Sequence, residues 1–397
     1  MQYDLVFEGG GAKGMVFVGA LQEFERLGHT AGRLLGTSAG AIIATYLAAG
    51  FTAGEMLRAL EEKDESGKHI FTRFLGRPKP FSKEEIAHSA TRVALEKIDL
   101  PRVPNFLESR LDRFILSLMT QEELVHVFSF VERGGWYSAD AFVEWARAKL
   151  DQATPDGDVR RLSNHTFAEF YLKTGRELSL VAADTTAHRL LVLNHRTAPR
   201  LPVVWGMRMS MSLPLLWQEV IWQPEWGNYL SHPMAGHRIV DGGLLSNFPI
   251  ELFLSSDPYV VSLMGPKTSQ GMLGLLIDED MDVPGVDPGP PSDAGGTLTD
   301  LPPVERIIGL IDTATKAHDK MVIEAFQQFV CRLPAKGYGT TEFDMSDHRR
   351  DMLITAGKNA MADYFRTQET QGMKGPDIDE MDRAFNRADR LAKKILR

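Results

Sequence analysis

The sequence predicts a three-layer α/β/α sandwich with a largely parallel central sheet, and three observations favour this fold class. Short apolar segments at residues 4–8 and 33–35 have the length of buried strands. Each segment runs into a glycine-rich turn, and each turn precedes a helical pattern. Alternation of strand and helix is typical of parallel sheets covered by helices on both faces.

The first fifty residues contain two such units. After the first strand come the glycine loop GGGAKG (residues 9–14) and a predicted helix at residues 15–27. The second strand is followed by the turn GTSAG (residues 36–40) and a helix at residues 41–49. That second helix is apolar on all sides, which predicts that it is buried.

The remainder of the chain alternates between helical and strand-rich regions. We expect a helical insertion at residues 54–135, which is a candidate lid, and a mobile acidic loop at residues 278–303. Strands are predicted at residues 177–183, 190–195, 216–222, 238–240 and 259–264, and closing helices at residues 304–329, 347–365 and 377–396. The predicted organisation is a main domain over residues 1–335 and a helical C-terminal region over residues 336–397.

Composition and charge exclude several classes of protein. With 43% hydrophobic and 24% charged residues, the chain of 397 residues is neither disordered nor fibrous. The single cysteine excludes an intrachain disulfide, and the net charge of −9 argues against a nucleic-acid polymer as partner. The sequence has no 18-residue apolar run and no signal-peptide pattern, so we expect a cytoplasmic protein, with signal-less secretion left open.

The glycine loop has three interpretations. Gly9, Gly11 and Gly14 fit the dinucleotide fingerprint, but the second strand lacks the acidic residue that would hold a ribose. A P-loop is excluded because Met15 stands where lysine is required. The same backbone N–H groups could instead stabilise a developing oxyanion, and a tight turn without a ligand is the third alternative.

The turn at residues 36–40 has the G-x-S-x-G pattern of a nucleophile elbow. Gly36 and Gly40 are small enough for the chain to bend sharply around Ser38, although a serine before a helix is also a common N-cap. Because neighbouring βα turns meet at the carboxyl edge of a parallel sheet, we expect this serine to lie beside the glycine loop.

A nucleophilic serine needs a proton acceptor, and Asp241 is the leading candidate. It ends an apolar strand and is followed by Gly242 and Gly243, while Asn247 can fix the subsequent turn by hydrogen bonding. Taken by itself, Asp-Gly-Gly is better explained as a simple hairpin turn. Histidines 195, 232, 237, 318 and 348 do not lie in any recognisable catalytic turn.

Three motifs in this order resemble those of the patatin-like phospholipases: EGGGAKG (residues 8–14), GTSAG (residues 36–40) and DGG (residues 241–243). The segments RMSMSLP (residues 208–214) and GGWYS (residues 134–138) add to the resemblance. The resemblance covers residues 3 to 265. It implies a patatin-like fold and a Ser–Asp acyl hydrolase that uses neither metal nor cofactor.

The resemblance also implies a role for each motif residue. Ser38 would be the nucleophile and Asp241 the base, while Lys13 would orient the loop or contact an anionic headgroup. The implied oxyanion hole comprises Gly9, Gly10, Gly11, Ala12, Gly14 and Ala39, and the implied supporting residues are Gly36, Gly40, Lys13, Gly242, Gly243 and Asn247. A carboxylate can replace imidazole as base only when burial raises its proton affinity.

The expected substrate is a membrane phospholipid, reached through peripheral contact with the bilayer. We also expect an activating protein or a signalling nucleotide, because uncontrolled lipid hydrolysis is toxic. Whether the protein forms a homo-oligomer is left open. Two alternatives remain. One is a nucleotide-binding α/β protein that uses Gly9 to Gly14, and the other is a catalytically idle lipid-binding protein on a patatin fold.

Overall fold

The computed structural model describes residues 1–97, 124–286, 323–372 and 378–396. Its strands are β1 (Gln2–Phe7), β2 (Thr30–Thr37), β3 (Gly135–Tyr137), β4 (Leu178–Asp184), β5 (Arg189–Leu193), β6 (Leu215–Trp217), β7 (Val220–Ile221), β8 (Arg238–Asp241), β9 (Gly271–Asp278) and β10 (Val330–Pro334). Its α-helices are α1 (Val16–Arg26), α2 (Ala39–Ala48), α3 (Ala53–Leu60), α4 (Lys83–Ala87), α5 (Ala90–Lys97), α6 (Val125–Arg133), α7 (Asp140–Leu150), α8 (Phe167–Thr174), α9 (Val203–Ser210), α10 (Glu251–Leu254), α11 (Pro258–Met264), α12 (Asp347–Gly372) and α13 (Ile378–Ile395).

The central sheet has the strand order β10-β9-β1-β2-β4-β8-β7, with β5 paired to β4 outside this path. The five strands from β10 to β4 are parallel to one another. Strands β5, β8 and β7 join in antiparallel pairs. The sheet is therefore largely parallel, as predicted.

Both faces of the sheet are buried. In β1, Leu5 and Phe7 join one hydrophobic core and Val6 joins the other, since successive side chains point to opposite faces. The first core includes residues of α1, α2, α3, α7, α8, α9 and α12, and the second includes residues of α10, α11 and α13. This arrangement confirms the predicted α/β/α sandwich.

Strand β4 fixes the relative position of two other strand ends. Strand β5 occupies one edge of β4 along residues 180–184. On the opposite edge, β2 pairs with residues 178–181 and β8 pairs with residues 182–184 from the other direction. Thr37 thus faces Val181 and Asp241 faces the next residue, Ala182. The two strands meet end to end, so the residue after Thr37 lies beside Asp241.

One predicted strand is wrong, and two strands of the sheet were not predicted. Residues 259–264 form helix α11 and not a strand, because Pro258 stands at its first position and the Asp257 carboxylate caps it by accepting the N–H groups of Tyr259 and Val260. Strands β9 and β10 were not predicted from the sequence. In β9, Gly271 lies so close to the Tyr3 ring of β1 that a β-carbon would lie 2.5 Å from it. This contact joins segments that are distant in the chain, so the local sequence does not reveal it.

Several predicted segments lie partly outside the described residues. These are residues 98–123 of the helical insertion, 287–303 of the acidic loop and 304–322 of the next predicted helix. Helices α12 and α13 confirm the two closing helices, while the division at residue 335 stays a prediction. Within the described ranges, no helix combines the length and the apolar run that crossing a bilayer requires.

Candidate active site

Ser38 forms a strained turn between β2 and α2. Its φ of 54° and ψ of −121° are unusual for a residue with a side chain. Such a conformation costs about 1–3 kcal/mol, and neighbouring contacts must maintain it. Although Ser38 occupies the N-cap position of α2, its hydroxyl makes no capping hydrogen bond. The N-cap interpretation of this serine therefore fails.

Gly36 and Gly40 allow the turn to close, as the elbow pattern predicts. A β-carbon on Gly36 would lie 2.2 Å from the Gly40 carbonyl oxygen. One on Gly40 would lie 2.4 Å from the Phe7 carbonyl oxygen of the adjacent strand. Both distances are far below van der Waals contact, and the obstructing atoms belong to the backbone. Neither position accepts a larger residue without displacing β1 or α2.

Asp241 lies at the end of β8 with only 1% of its surface exposed. Its Oδ1 accepts the Gly243 N–H at 2.8 Å, while Oδ2 is buried without a hydrogen-bond partner among the described residues. Burial raises the pKa of Asp241 from 3.8 to about 7, against the smaller lowering effects of the Ser38 hydroxyl and the Gly243 N–H. The carboxylate beside Ser38 can therefore take up a proton near neutral pH.

The backbone N–H groups of the predicted oxyanion hole divide into two sets. Gly9 donates to the Asn247 carbonyl at 3.2 Å and Ala12 donates to the Thr340 carbonyl at 2.9 Å, so both amides are engaged. Gly10, Gly11 and Ala39 have N–H groups without an acceptor in the described parts of the chain, and these residues line the cavities at Ser38. Gly14 serves packing, because a β-carbon there would lie 2.7 Å from that of Ala39.

Asn247 joins the turn after Asp241 to the glycine loop. Its Nδ2 donates to the Gly9 carbonyl at 2.9 Å and to the Glu8 carboxylate at 3.3 Å. Glu8 also accepts the Ile277 N–H at 2.6 Å, which ties the loop to β9. Gly242 is needed as well, since a β-carbon would lie 2.6 Å from the Val181 carbonyl oxygen.

Lys13 is buried and pairs with Glu279, which follows β9. This ion pair fits the predicted role of Lys13 in orienting the loop. The lysine also lines a cavity at Ser38, so contact with a headgroup stays a prediction.

Ser210 holds the strained turn in place, although no role was predicted for it from the sequence. The Ser38 N–H donates to Ser210 Oγ at 3.0 Å, and the Ser210 hydroxyl donates to the Val181 carbonyl at 2.6 Å. Ser210 thereby connects the strained turn to β4. Nearby, the Asp241 N–H donates to the Ser212 carbonyl at 2.9 Å. Both serines belong to the segment RMSMSLP, which carried a resemblance but no assigned chemistry.

Two cavities of different polarity meet at Ser38, and Gly11, Ser38 and Leu213 line both. The first has a volume of about 90 Å³, and its walls are otherwise formed by apolar and aromatic side chains and by Tyr46. The second has a volume of about 480 Å³ and is lined by Asp241 and by charged residues, namely Glu8, Lys13, Asp278, Glu279, Asp280, Glu324 and Arg332. The serine hydroxyl therefore faces an apolar space and a polar one.

The geometry at Gly11 disfavours the dinucleotide interpretation. Gly11 has a φ of 55°, and a β-carbon on it would lie 2.1 Å from the Thr340 carbonyl oxygen. The Thr340 carbonyl oxygen thus lies against the loop and accepts the Ala12 N–H, so the loop has one fewer free donor for a pyrophosphate.

Comparisons with known proteins agree with the motifs. A family model described as patatin-like phospholipase matches residues 5–254. YqhO, an uncharacterized protein of Bacillus subtilis, is 26% identical over 366 residues, which cover 90% of this chain and 96% of that protein. A patatin-like phospholipase domain-containing protein of Cryptococcus neoformans is 32% identical over 88 residues, which cover 21% of this chain and 10% of that protein.

Two solved structures are also similar to this chain. VipD from Legionella pneumophila has a TM-score of 0.45 at 14% identity, with 92% of this chain and 67% of VipD covered. The type III effector protein ExoU has a TM-score of 0.35 at 16% identity, with 93% of this chain and 53% of ExoU covered. The chain therefore spans about half the length of ExoU.

Replacing Ser210 by alanine should destabilise the protein. The substitution leaves the buried Ser38 N–H without its acceptor, so we expect the free energy of unfolding to fall by about 1–2 kcal/mol. Ser246→Ala is the matched control, because Ser246 is equally buried and its hydroxyl has no partner among the described residues. Urea unfolding of both variants checks this, and equal losses would contradict the assigned hydrogen bond.

The raised pKa of Asp241 predicts how stability depends on pH. The pKa of Asp241 is about 7 in the folded protein and 3.8 in an ordinary aspartate, so the fold favours the protonated carboxyl. The wild-type protein therefore loses stability as the pH rises from about 3.8 to about 7. Asp241→Asn removes the charge. At about 1.4 kcal/mol per pKa unit, its stability relative to the wild type should grow by roughly 2–3 kcal/mol between pH 5 and pH 8. Urea unfolding at the two pH values measures this, and a pH-independent difference would contradict it.

Proposed function

The chain belongs to the patatin-like phospholipase family, and we propose that it is a phospholipase A or lysophospholipase that cleaves acyl esters of membrane phospholipids. The proposal rests on one observation above all. The hydroxyl of a strained serine lies beside a buried carboxylate whose pKa is raised to about 7. This pairing of nucleophile and base is what acyl transfer requires.

Acylation would begin with attack of Ser38 Oγ on the ester carbonyl carbon, as its proton passes to Asp241. The carbonyl oxygen then becomes an oxyanion, and the free N–H groups of Gly10, Gly11 and Ala39 are the candidate donors to it. When the ester C–O bond breaks, the leaving alkoxide takes the proton from Asp241. The products of this half-reaction are an acyl-serine ester and the deacylated lipid.

Deacylation would reverse these roles with water as the nucleophile. The ionised Asp241 takes a proton from a water molecule, whose oxygen attacks the acyl-serine carbonyl carbon. The second tetrahedral intermediate uses the same N–H donors, and its collapse returns the proton to Ser38 and releases the fatty acid. A base with a pKa near the working pH suits both steps, since it must accept a proton and then give it up.

The two cavities support a lipid as the substrate. The apolar cavity at Ser38 suits an acyl chain, and the polar cavity at Asp241 suits the ester leaving group and headgroup. Leu245 is 37% exposed and follows the cavity residue Leu244, while Met281 is 43% exposed and follows the cavity residue Asp280. We propose that these apolar side chains help the site approach a membrane surface.

Both members of the pair should be essential for hydrolysis. We expect Ser38→Ala and Asp241→Asn each to lower fatty-acid release from phosphatidylcholine vesicles by roughly a thousandfold or more, as in other hydrolases that lose a nucleophile or base. Mass spectrometry of the released acids measures the rate, and circular dichroism verifies that the variants fold.

Asp184→Asn is the matched control for the carboxylate. Asp184 is as buried as Asp241 and ends the neighbouring strand β4, but its oxygens accept from His237 and Arg189 and it does not line the two cavities at Ser38. This variant should keep its activity per folded molecule. A wild-type rate in Ser38→Ala or Asp241→Asn would refute the proposed mechanism.

A further inference from the structure

Residues 335–345 form one wall of the site, although they lie beyond the residues that the family model matches. They follow β10, and their Thr340 carbonyl accepts the Ala12 N–H of the glycine loop at 2.9 Å. Three residues later, the Phe343 ring lines the apolar cavity beside Ser38. It meets the Trp217 ring edge-on with centroids 5.8 Å apart. This segment thus touches both the glycine loop and the acyl cavity of the proposed function.

The wall is held in place by hydrogen bonds to a buried carboxylate. Glu342 is only 2% exposed and accepts the Gly339 N–H at 3.0 Å and the Arg349 guanidinium at 2.7 Å. Arg349 also donates to the Gly337 carbonyl at 2.7 Å, and the Tyr338 hydroxyl donates to the Arg349 carbonyl at 2.8 Å. These bonds fix the backbone on both sides of Phe343, so its ring has a defined place in the cavity.

Phe343 lies far along the chain from its neighbours in the cavity. The other described lining residues all lie between Gly11 and Trp217, inside the matched range 5–254. Phe343 therefore contributes its ring to the cavity from a segment outside the matched range. The cavity measures about 90 Å³, which is smaller than an engineered apolar cavity of roughly 150 Å³ that binds benzene in another protein.

We infer that Phe343 limits how much of an acyl chain the cavity holds, so that the ring weakens the preference of this hydrolase for long acyl chains over short ones. The inference rests on the proposed function, because the cavity is assigned to the acyl chain there. A short chain fits beside the ring, whereas further methylene groups need the volume that the ring fills. Removing the ring enlarges the cavity without touching Ser38, Asp241 or the free N–H groups.

The test compares the hydrolysis of p-nitrophenyl butyrate and p-nitrophenyl palmitate by the full-length protein. In Phe343→Ala, we expect the ratio of kcat/KM for palmitate to kcat/KM for butyrate to rise by roughly tenfold or more. Phe343→Leu keeps most of the packing and should raise the ratio by a smaller factor. It also keeps the test decisive if the alanine variant does not fold.

Phe365→Ala is the matched control. Phe365 is 8% exposed and Phe343 is 9% exposed, but the Phe365 ring packs on Tyr3 and His29, away from the cavity. The control should lose stability and keep the wild-type ratio. An unchanged ratio in the folded Phe343 variants, or an equal rise in Phe365→Ala, overturns the inference.

Ser38→Ala separates this inference from the proposed function. If Ser38→Ala abolishes hydrolysis of both esters and the Phe343 variants leave the ratio unchanged, only the role of Phe343 fails. If Ser38→Ala hydrolyses both esters at the wild-type rate, the proposed function fails, and the inference fails with it.

Discussion

The candidate site depends on the register of a single strand. Strand β4 carries β5 along one edge, so β2 and β8 must share the other edge, and they approach each other from opposite directions. Their ends face the adjacent residues Val181 and Ala182, which brings Ser38 and Asp241 together although 203 positions separate them in the chain. Because side chains alternate along a strand, a slip of one residue would turn Asp241 to the other face.

Two features that lower the stability of the fold lie next to each other in the site. Ser38 adopts a strained backbone conformation, and Asp241 is a carboxylate buried almost completely. Both would relax in a looser structure, for instance by unwinding the turn or by admitting water. Close contacts at Gly36 and Gly40, together with the hydrogen bond from the Ser38 N–H to Ser210, hold the strained geometry in place. The fold is thereby less stable than it could be, but Ser38 and Asp241 are kept reactive, which is a common feature of active sites.

The sequence predicted the site best where the chemistry is local. The elbow glycines, the glycine loop and the Asp-Gly-Gly turn are short motifs whose backbone needs can be read from neighbouring residues. Contacts between distant segments were not predictable in this way. Thr340 engages Ala12 and Ser210 engages Ser38 through single hydrogen bonds that leave no pattern in the sequence. Strand β9 was not predicted for the same reason. The residues of α11 were predicted as a strand because the helix start at Asp257-Pro258 was overlooked.

The most direct test of the central claim, that Asp241 activates Ser38, is the rate of Ser38 labelling by a fluorophosphonate as a function of pH. The rate should rise through about pH 7 in the wild type, following the pKa of the buried carboxylate. In Asp241→Asn it should be much slower and show no such rise, with peptide mass spectrometry locating the label on Ser38. Labelling of another residue, or equal rates and equal pH profiles in the two proteins, would contradict the account.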